Sequence, residues 1–171
     1  AAKNAAKNNL KTLLVDEKNE LGGSTIYQNR EFNKIENQSS SDWIKKEIQE
    51  LRNIKNLEIK TRTSVAAYHG YNYLLARENL TDHLEKKDKQ GKIRQRLLKI
   101  RAKKVILATG ALERPLIFNN NDRPGIMLSS AVKKYADFYG VVSGKKNIFF
   151  TNNDSAYESA LCLHNKGIKV E

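Results

Sequence analysis

The stretch Thr12-Leu-Leu-Val-Asp-Glu17, followed by Leu21-Gly-Gly-Ser24, decides the fold that this sequence predicts. A short apolar run ending in acidic residues is typical of the second strand of a dinucleotide-binding βαβ unit, where a carboxylate accepts hydrogen bonds from the adenosine ribose. That acid usually follows a glycine-rich phosphate loop by about 20 residues. Asp16 lies too close to Ala1 for such a loop, and the chain has no initiator Met. We therefore expect a piece of a longer protein.

Composition narrows the protein class. The 171 residues can form one domain, or one domain and part of another, and the 39% hydrophobic content predicts a globular protein with a modest core. No apolar run approaches the roughly 18 residues of a membrane span, and no signal peptide opens the chain, so we expect a cytoplasmic protein without a membrane partner. The single Cys162 excludes an internal disulfide, a CxxC pair and a cysteine-rich zinc site.

The net charge of +12 raises the question of nucleic-acid binding. Lys and Arg are scattered, with clusters at residues 86–104 and 145–146, and are not gathered with groove-reading elements. We expect no nucleic-acid partner, and interpret the charge as a solvated face or one that meets an acidic partner subunit. A non-enzymatic basic binding module stays open as an alternative.

Local patterns predict the elements of the first half. Alanines in residues 1–8 form a narrow helical stripe before the strand at 12–16, although a disordered leader is the alternative. The serines and Asp42 predict a helix start, with an apolar face of Trp43, Ile44, Ile48 and Leu51. A strand at 57–61 opens an antiparallel insert over about 57–101, with a hairpin around 69–72 and a polar loop at 86–91.

The second half predicts an apolar strand at 105–110, buried on both faces of a parallel sheet. Ser129 is expected to cap a helix over 130–139. A strand at 147–151, a helix at 156–165 and a strand from 168 then open a second βαβ unit. The predicted class is α/β, an incomplete Rossmann-like fold of the two-dinucleotide-binding-domain type. Residues 1–140 would form the first domain with its insert, and 141–171 the start of a degenerate second unit.

Four segments carry a family resemblance that covers essentially all 171 residues. They are Leu14-Val-Asp-Glu17 with Leu21-Gly-Gly-Ser24, Ala108-Thr-Gly-Ala-Leu-Glu-Arg-Pro-Leu116, Asn121-Asp-Arg-Pro-Gly-Ile-Met-Leu128 and Phe150-Thr-Asn-Asn-Asp-Ser-Ala-Tyr157. Together they resemble flavoproteins of pyridine nucleotide-disulfide oxidoreductase fold, and within them the α subunits of the heterotetrameric sarcosine oxidase family. An ATG turn alone would be weak, whereas the last two segments are more specific.

The resemblance implies an enzyme complex that oxidatively demethylates sarcosine to glycine and hydrogen peroxide, with transfer of the one-carbon unit to tetrahydrofolate. It implies that this region binds NAD, that the β subunit holds FAD, and that FMN lies near the α/β interface, with γ and δ subunits completing the heterotetramer. Tetrahydrofolate would bind a domain outside this chain, and the fragment alone would be inactive. A subunit of a related FAD-dependent amine, opine or hydroxyproline dehydrogenase is the alternative.

Asp16 and Glu17 are the strongest candidates for cofactor binding, because one of the two carboxylates can bind the ribose and both would repel a 2′-phosphate. Lys18 follows, and its stem could cover the adenine. Gly22 and Gly23 would permit close backbone approach, and Ser24 offers a hydroxyl to the pyrophosphate. Solvated strand-end acids, a surface lysine and an ordinary glycine turn are the competing interpretations.

The resemblance adds Val65, where the family holds the adenine edge with backbone groups, and Thr109 with Gly110, in the turn beneath the nucleotide. A core valine is the competing interpretation of Val65. Residues 151–157 lack the glycines of a second phosphate loop, which argues against an ordinary NAD(P)H-dependent flavin reductase. No catalytic constellation and no metal-ligand spacing stand out, so neither kind of site is predicted.

Overall fold

The computed structural model describes residues 1–27 and 34–171, which form a mixed α/β chain. The helices are α1 Ala2–Lys7, α2 Ser40–Arg52, α3 Lys86–Lys89, α4 Ser129–Phe138 and α5 Ser155–Asn165. The strands are β1 Thr12–Val15, β2 Lys34–Ile35, β3 Gln38–Ser39, β4 Leu57–Lys60, β5 Thr63–His69, β6 Tyr73–Asn79, β7 Gln95–Arg101, β8 Lys146–Asn147 and β9 Lys169–Val170. None of the helices in these two ranges combines the length and the apolar character that crossing a bilayer requires.

Two compact units make up the chain. The first contains residues 1–23 and 42–109, and the second contains residues 24–41 and 110–171. The second unit therefore groups residues 110–140 with 141–171, whereas the sequence analysis assigned 110–140 to the first dinucleotide-binding domain. That functional division at residue 140 stays a prediction.

A parallel strand pair is the centre of the first unit. Strand β1 pairs with β4 in parallel, with Thr12 opposite Leu57 and Val15 opposite Lys60. Parallel neighbours need a crossover connection, and α2 lies between these strands in the sequence. The predicted strand, helix and strand all form, and the acidic residues after Val15 follow the carboxyl end of β1.

Contacts with α2 and with the turn before β4 hold α1 in place. The Lys3 ammonium contacts the carboxylates of Glu47 and Glu50 at 2.6 and 2.7 Å. The Asn56 side chain donates hydrogen bonds to the backbone carbonyls of Ala6 and Leu10, at 2.8 and 2.9 Å. The N-terminal alanines are therefore helical, and Ala6 is buried.

The antiparallel sheet has the strand order β5-β6-β7. Thr63 lies opposite Glu78, and Tyr73 lies opposite Arg101. The sheet begins at Thr63 and not near residue 57, because β4 hydrogen-bonds to β1 in parallel. The predicted polar loop at 86–91 includes the single turn α3.

The expected buried strand at 105–110 is wrong for the described chain. These residues are assigned to no strand, and the side chains of Ile106 and Leu107 are each 68% exposed. Within the described residues β1 pairs only with β4, and no strand pairs with residues 105–110. Apolar composition favours burial, but a strand also needs a neighbour for its backbone groups.

The core of the second unit lies between α4 and α5. Val132 and Ala136 of α4 form a buried cluster with Cys162 and Leu163 of α5, and the cluster is covered by Phe149, Ile168 and Val170. Strands β8 and β9 pair in parallel, with Asn147 opposite Val170. The predicted strand at 147–151 is thus shortened to Lys146–Asn147, although the strand–helix–strand order holds.

Candidate nucleotide-binding site

Three backbone hydrogen bonds fix the turn that follows β1. The Asp16 amide donates to the Lys60 carbonyl at 2.9 Å, and the Asp16 carbonyl accepts from the Thr63 amide at 2.9 Å. Two residues further along, the Lys18 carbonyl accepts a hydrogen bond from the Arg62 amide at 2.7 Å. The carboxyl end of β1 is therefore bound to the end of β4 and to the start of β5.

The two acidic side chains at this end differ in how they are held. Asp16 is half-buried, and its Oδ1 accepts a hydrogen bond from the Lys18 amide at 2.9 Å, as in an Asx turn. Glu17 is exposed and contacts the Lys18 ammonium at 3.0 Å. An exposed pair of this kind contributes little energy and is readily exchanged for a ligand. The turn orients the Asp16 carboxylate, whereas Glu17 has an exposed ion pair.

The glycines after this turn have backbone conformations that favour glycine. Gly22 has a φ of 118° and Gly23 a φ of 55°, both in the region that other residues enter at a cost. A Cβ built on Gly23 would meet nothing within 4 Å. The requirement at Gly23 is therefore conformational, and the space beside it is open. Ser24 follows in a 3₁₀ turn over Gly23–Tyr27 and is exposed.

The Asp16 carboxylate and the open space beside Gly23 suit the adenosine half of a dinucleotide. An oriented carboxylate at the end of a parallel strand can accept hydrogen bonds from a vicinal diol. The open space beside Gly23 leaves room for a ligand close to the backbone. The residues present fit an adenosine ribose.

The remaining candidate residues are Val65, Thr109 and Gly110. Val65 is in β5, two residues beyond the Thr63 amide that binds Asp16, and is 45% exposed, so it is not a core valine. Thr109 and Gly110 are both exposed, and Thr109 ends the first unit while Gly110 begins the long segment of the second. The structure brings Asp16, Glu17 and Lys18 together with the start of β5. The part of Thr109 and Gly110 in a nucleotide site stays a prediction.

Sequence reasoning missed Arg62. Its backbone has a φ of 54°, which is uncommon for a residue with a side chain, and its amide binds Lys18. Its guanidinium binds the Asp82 carboxylate through two atoms, at 2.9 and 2.6 Å. A left-handed arginine has no sequence signature, and its carboxylate partner lies 20 residues away. Only the folded chain reveals this residue.

The turn before α5 is built from side chains where a phosphate loop would use glycines. The Asn153 Oδ1 accepts a hydrogen bond from the Ser155 amide at 3.0 Å, and the Thr151 hydroxyl donates to the Asn153 carbonyl at 2.8 Å. In a phosphate loop, amides at a helix start bind the ligand. One such amide is already satisfied here by Asn153.

Cys162 is the single cysteine of the chain, and its thiol is buried. Burial, followed by the hydrogen bond to Asp137, raises the pKa of the Cys162 thiol to about 12, so the thiol stays protonated. It donates to the Asp137 Oδ1 at 3.1 Å within the buried core of the second unit. Among residues 1–27 and 34–171, no three His, Cys, Asp or Glu side chains are grouped so that they could hold a metal ion.

No model of a known protein family matches the chain. The fold is similar to that of L-proline dehydrogenase from P. horikoshii, with a TM-score of 0.71 and 24% sequence identity over 96% of this chain and 31% of that chain. This likeness supports the mixed α/β class that the sequence predicted.

Curated relatives share the sequence more closely. The chain is 41% identical over 157 residues to sarcosine oxidase subunit alpha of Corynebacterium sp. (strain P-1), which covers 92% of this chain and 16% of the relative. It is 34% identical over 170 residues to the subunit of the same name from Rhizobium meliloti (strain 1021), covering 99% of this chain and 17% of the relative. The chain thus spans about a sixth of these relatives, and it is homologous to that segment of the sarcosine oxidase alpha subunits, as the sequence resemblance predicted.

Proposed function

We propose that this chain is the dinucleotide-binding region of a sarcosine oxidase alpha subunit, located in the cytoplasm, and that it binds NAD at the carboxyl end of β1. In this proposal the Asp16 carboxylate accepts hydrogen bonds from the adenosine ribose hydroxyls. Gly22 and Gly23 let the backbone approach the nucleotide, and Ser24, Lys18 and Val65 border it. Thr109 and Gly110 would complete the site beneath the nucleotide.

The single observation that carries the proposal is the oriented carboxylate of Asp16. It follows directly after a strand in a parallel pair, at the edge where doubly wound folds bind nucleotides. Its turn is fixed by backbone bonds to β4 and β5, so the carboxylate is in place before a ligand arrives. Asp16 is a better ribose ligand than Glu17, because Glu17 is exposed and interacts with Lys18.

The name of the relatives extends the proposal to a flavin-dependent oxidoreductase complex. The complex would demethylate sarcosine oxidatively, and its FAD and FMN would supply the redox chemistry. This chain would hold NAD and help form the flavin-bearing interface with the β, γ and δ subunits. We expect no turnover from the 171 residues alone, because the proposal assigns amine oxidation to the β subunit and folate chemistry to a domain outside this segment.

The test is to identify the nucleotides bound to the complete enzyme. The whole alpha subunit is expressed with its partner subunits, and the purified complex is denatured and analysed by liquid chromatography and mass spectrometry. We expect NAD to be released together with FAD and FMN, and we expect Asp16→Asn to lower NAD retention about tenfold through the loss of charge-assisted hydrogen bonds. Glu58→Gln, on β4, is the matched control and should retain NAD.

Two results would contradict this function. If no NAD is released, and the complex releases more FAD than the β subunit accounts for, the first site holds a flavin and not NAD. A complex that oxidises L-proline or an opine but leaves sarcosine unchanged would assign the chain to a related dehydrogenase.

A further inference from the structure

A cavity lies in the first unit, between the end of β6 and the start of β7. It has a volume of about 390 Å³ and is lined by Thr81, Asp82, Lys89 and Arg94. Three of these residues can donate hydrogen bonds from their side chains, and two carry a positive charge. None of them belongs to the β1 end where NAD binding is proposed.

The Asp82 carboxylate in the wall of this cavity is neutralised by Arg62, which is not one of the lining residues. Both oxygens of Asp82 are bound by the guanidinium of Arg62, at 2.9 and 2.6 Å. The hydrogen bond from Arg62 outweighs desolvation and holds the pKa of the Asp82 carboxyl below its usual value. Arg62 and Asp82 thus cancel, and the charges of Lys89 and Arg94 are left uncompensated in the lining.

The cations of the lining have no carboxylate partner in the described part of the chain. The Lys89 ammonium contacts only the backbone carbonyl of Asp82, at 3.5 Å, and Arg94 is in none of the ion pairs. The surrounding sequence from Arg77 to Lys104 is strongly basic. An uncompensated basic cavity attracts an anion.

The cavity is also held in a defined shape. Arg62 has a left-handed backbone and is bound at both its amide, by Lys18, and its carbonyl, by the Asn79 amide at 3.0 Å. Strain of this kind persists only where the surroundings impose it, and it is frequent at ligand sites. Thr81 is 5% exposed, and the Leu80 amide binds the Arg94 carbonyl at 3.0 Å, which ties the two walls together.

We propose that this cavity binds a phosphate monoester, with the phosphate held by the Lys89 ammonium, the Arg94 guanidinium and the Thr81 hydroxyl. A planar guanidinium can donate two parallel hydrogen bonds to phosphate oxygens, and an ammonium adds a point charge. The dianion would balance the two uncompensated cations. The cavity is larger than a phosphate group, so it leaves room for the esterified organic part.

Calorimetric titration of the chain at about 0.15 M ionic strength tests this site, with ribose 5-phosphate and inorganic phosphate as the two probes. We expect saturable one-to-one binding of ribose 5-phosphate, weaker binding of inorganic phosphate, and protection of residues 80–95 from hydrogen exchange on binding. The double variant Lys89→Gln/Arg94→Gln should bind about tenfold more weakly or worse. Thr81→Val should lower affinity severalfold, and Arg94→Lys should restore only part of the loss of Arg94→Gln.

The control is Lys103→Gln/Lys104→Gln, which removes the same charge from exposed residues beyond the other end of β7. It should leave affinity within about twofold, since charges that far from a bound ligand are screened by salt. An equal loss in both double variants, or a single-stranded oligonucleotide that binds with equal sensitivity to both, would show a general basic surface and overturn the proposal. Absence of saturable binding would overturn it as well. Either result leaves the NAD proposal intact, because the two sites share no residue.

Discussion

At the scale of single residues, Asp16 shows how a local bond prepares a side chain for a ligand. The Lys18 amide holds one carboxylate oxygen in place, and backbone bonds fix the peptide groups around it. A ligand then loses less binding energy to ordering its partner. Glu17 has no such turn and interacts with an exposed lysine. The carboxylate that is ordered beforehand is the one we assign to the ribose.

The charge of Asp16 leads to a prediction about cofactor choice. In the complete alpha subunit, Asp16→Asn should raise the ratio of NADP to NAD retention by about tenfold, because a carboxylate near the ribose repels a 2′-phosphate. Competition binding of the two dinucleotides measures this ratio. Glu58→Gln should leave it unchanged, and an unchanged ratio in Asp16→Asn would argue against contact with the ribose.

Glu113 is a second residue whose role depends on the hydrogen bonds of its carboxylate. Its carboxylate accepts from the Ser129 amide and hydroxyl, at 3.2 and 2.8 Å, and from the Ser130 amide at 2.8 Å. The sequence analysis expected Ser129 to cap this helix, but the N-cap position is Leu128 and makes no side-chain cap. The cap comes instead from a carboxylate 16 residues earlier, at the positive end of the helix dipole.

This cap predicts an acid-sensitive contribution to stability. Burial raises the pKa of Glu113, but hydrogen bonds from Ser130 and Ser129 outweigh it, so the folded pKa lies below the ordinary 4.5. The contribution is therefore complete above the ordinary value and is lost as the pH falls through the folded pKa. Glu113→Gln should lower the free energy of unfolding by about 1 kcal/mol at neutral pH, and this loss should become smaller as the pH falls through the folded pKa. Denaturant unfolding measures this, with Asp122→Asn, in the same loop, as the neutral control.

At the scale of elements, most positions are set by contacts between segments distant in the sequence. Helix α1 has only six residues, which is too few for a stable isolated helix. It is held by two contacts with residues more than 40 positions later: Lys3 binds Glu47, and the Ala6 carbonyl accepts a hydrogen bond from Asn56. Strand β4 likewise takes its place from β1 and not from the antiparallel sheet that follows it. Local propensity starts these elements, and their partners fix them.

Asn56 provides a test at this scale. Asn56→Ala removes two side-chain hydrogen bonds to the backbone carbonyls of Ala6 and Leu10, so we expect the free energy of unfolding to fall by about 1–2 kcal/mol. Hydrogen exchange should become faster at the amides of α1 in particular. Asn53→Ala, an exposed change at the end of α2, should have a smaller effect. Equal exchange in α1 for both variants would contradict the assigned role.

At the scale of the whole molecule, many large apolar side chains are exposed. Ile117 is 97% exposed, Leu112 95%, Ile148 74%, and Ile106 and Phe150 each 68%. Ile106 lies in the segment 105–110, which the sequence predicted to be buried. Apolar side chains exposed in this way are suited to contact with other parts of a larger protein or with a partner.

The 171-residue chain alone should therefore bind the apolar dye ANS strongly, whereas the complete alpha subunit in its complex should bind much less per residue. Fluorescence titration at equal molar concentration compares the two. Two single variants, Ile106→Lys and Ile148→Lys, should each reduce dye binding by the isolated chain. Weak dye fluorescence from that chain would contradict the exposure of these side chains.

The sequence by itself determined the elements that short-range chemistry specifies. The amphipathic α2, the apolar β1 with its acidic end, the hairpin of β5 and β6, and α5 all follow from patterns read over a few residues. The same acidic end and the family motifs predicted the similarity to sarcosine oxidase alpha subunits. These features were predictable because each is specified within one turn or one strand.

Only the tertiary structure decided how distant segments meet. The exposed state of residues 105–110, the pairing of β4 with β1, the Glu113 cap and the Arg62–Asp82 pair all depend on neighbours that lie far along the chain. An apolar run specifies that a segment prefers burial, but it does not specify which backbone will pair with it. The physical reason is that periodicity encodes the face of an element, while register and partner are set by packing in three dimensions.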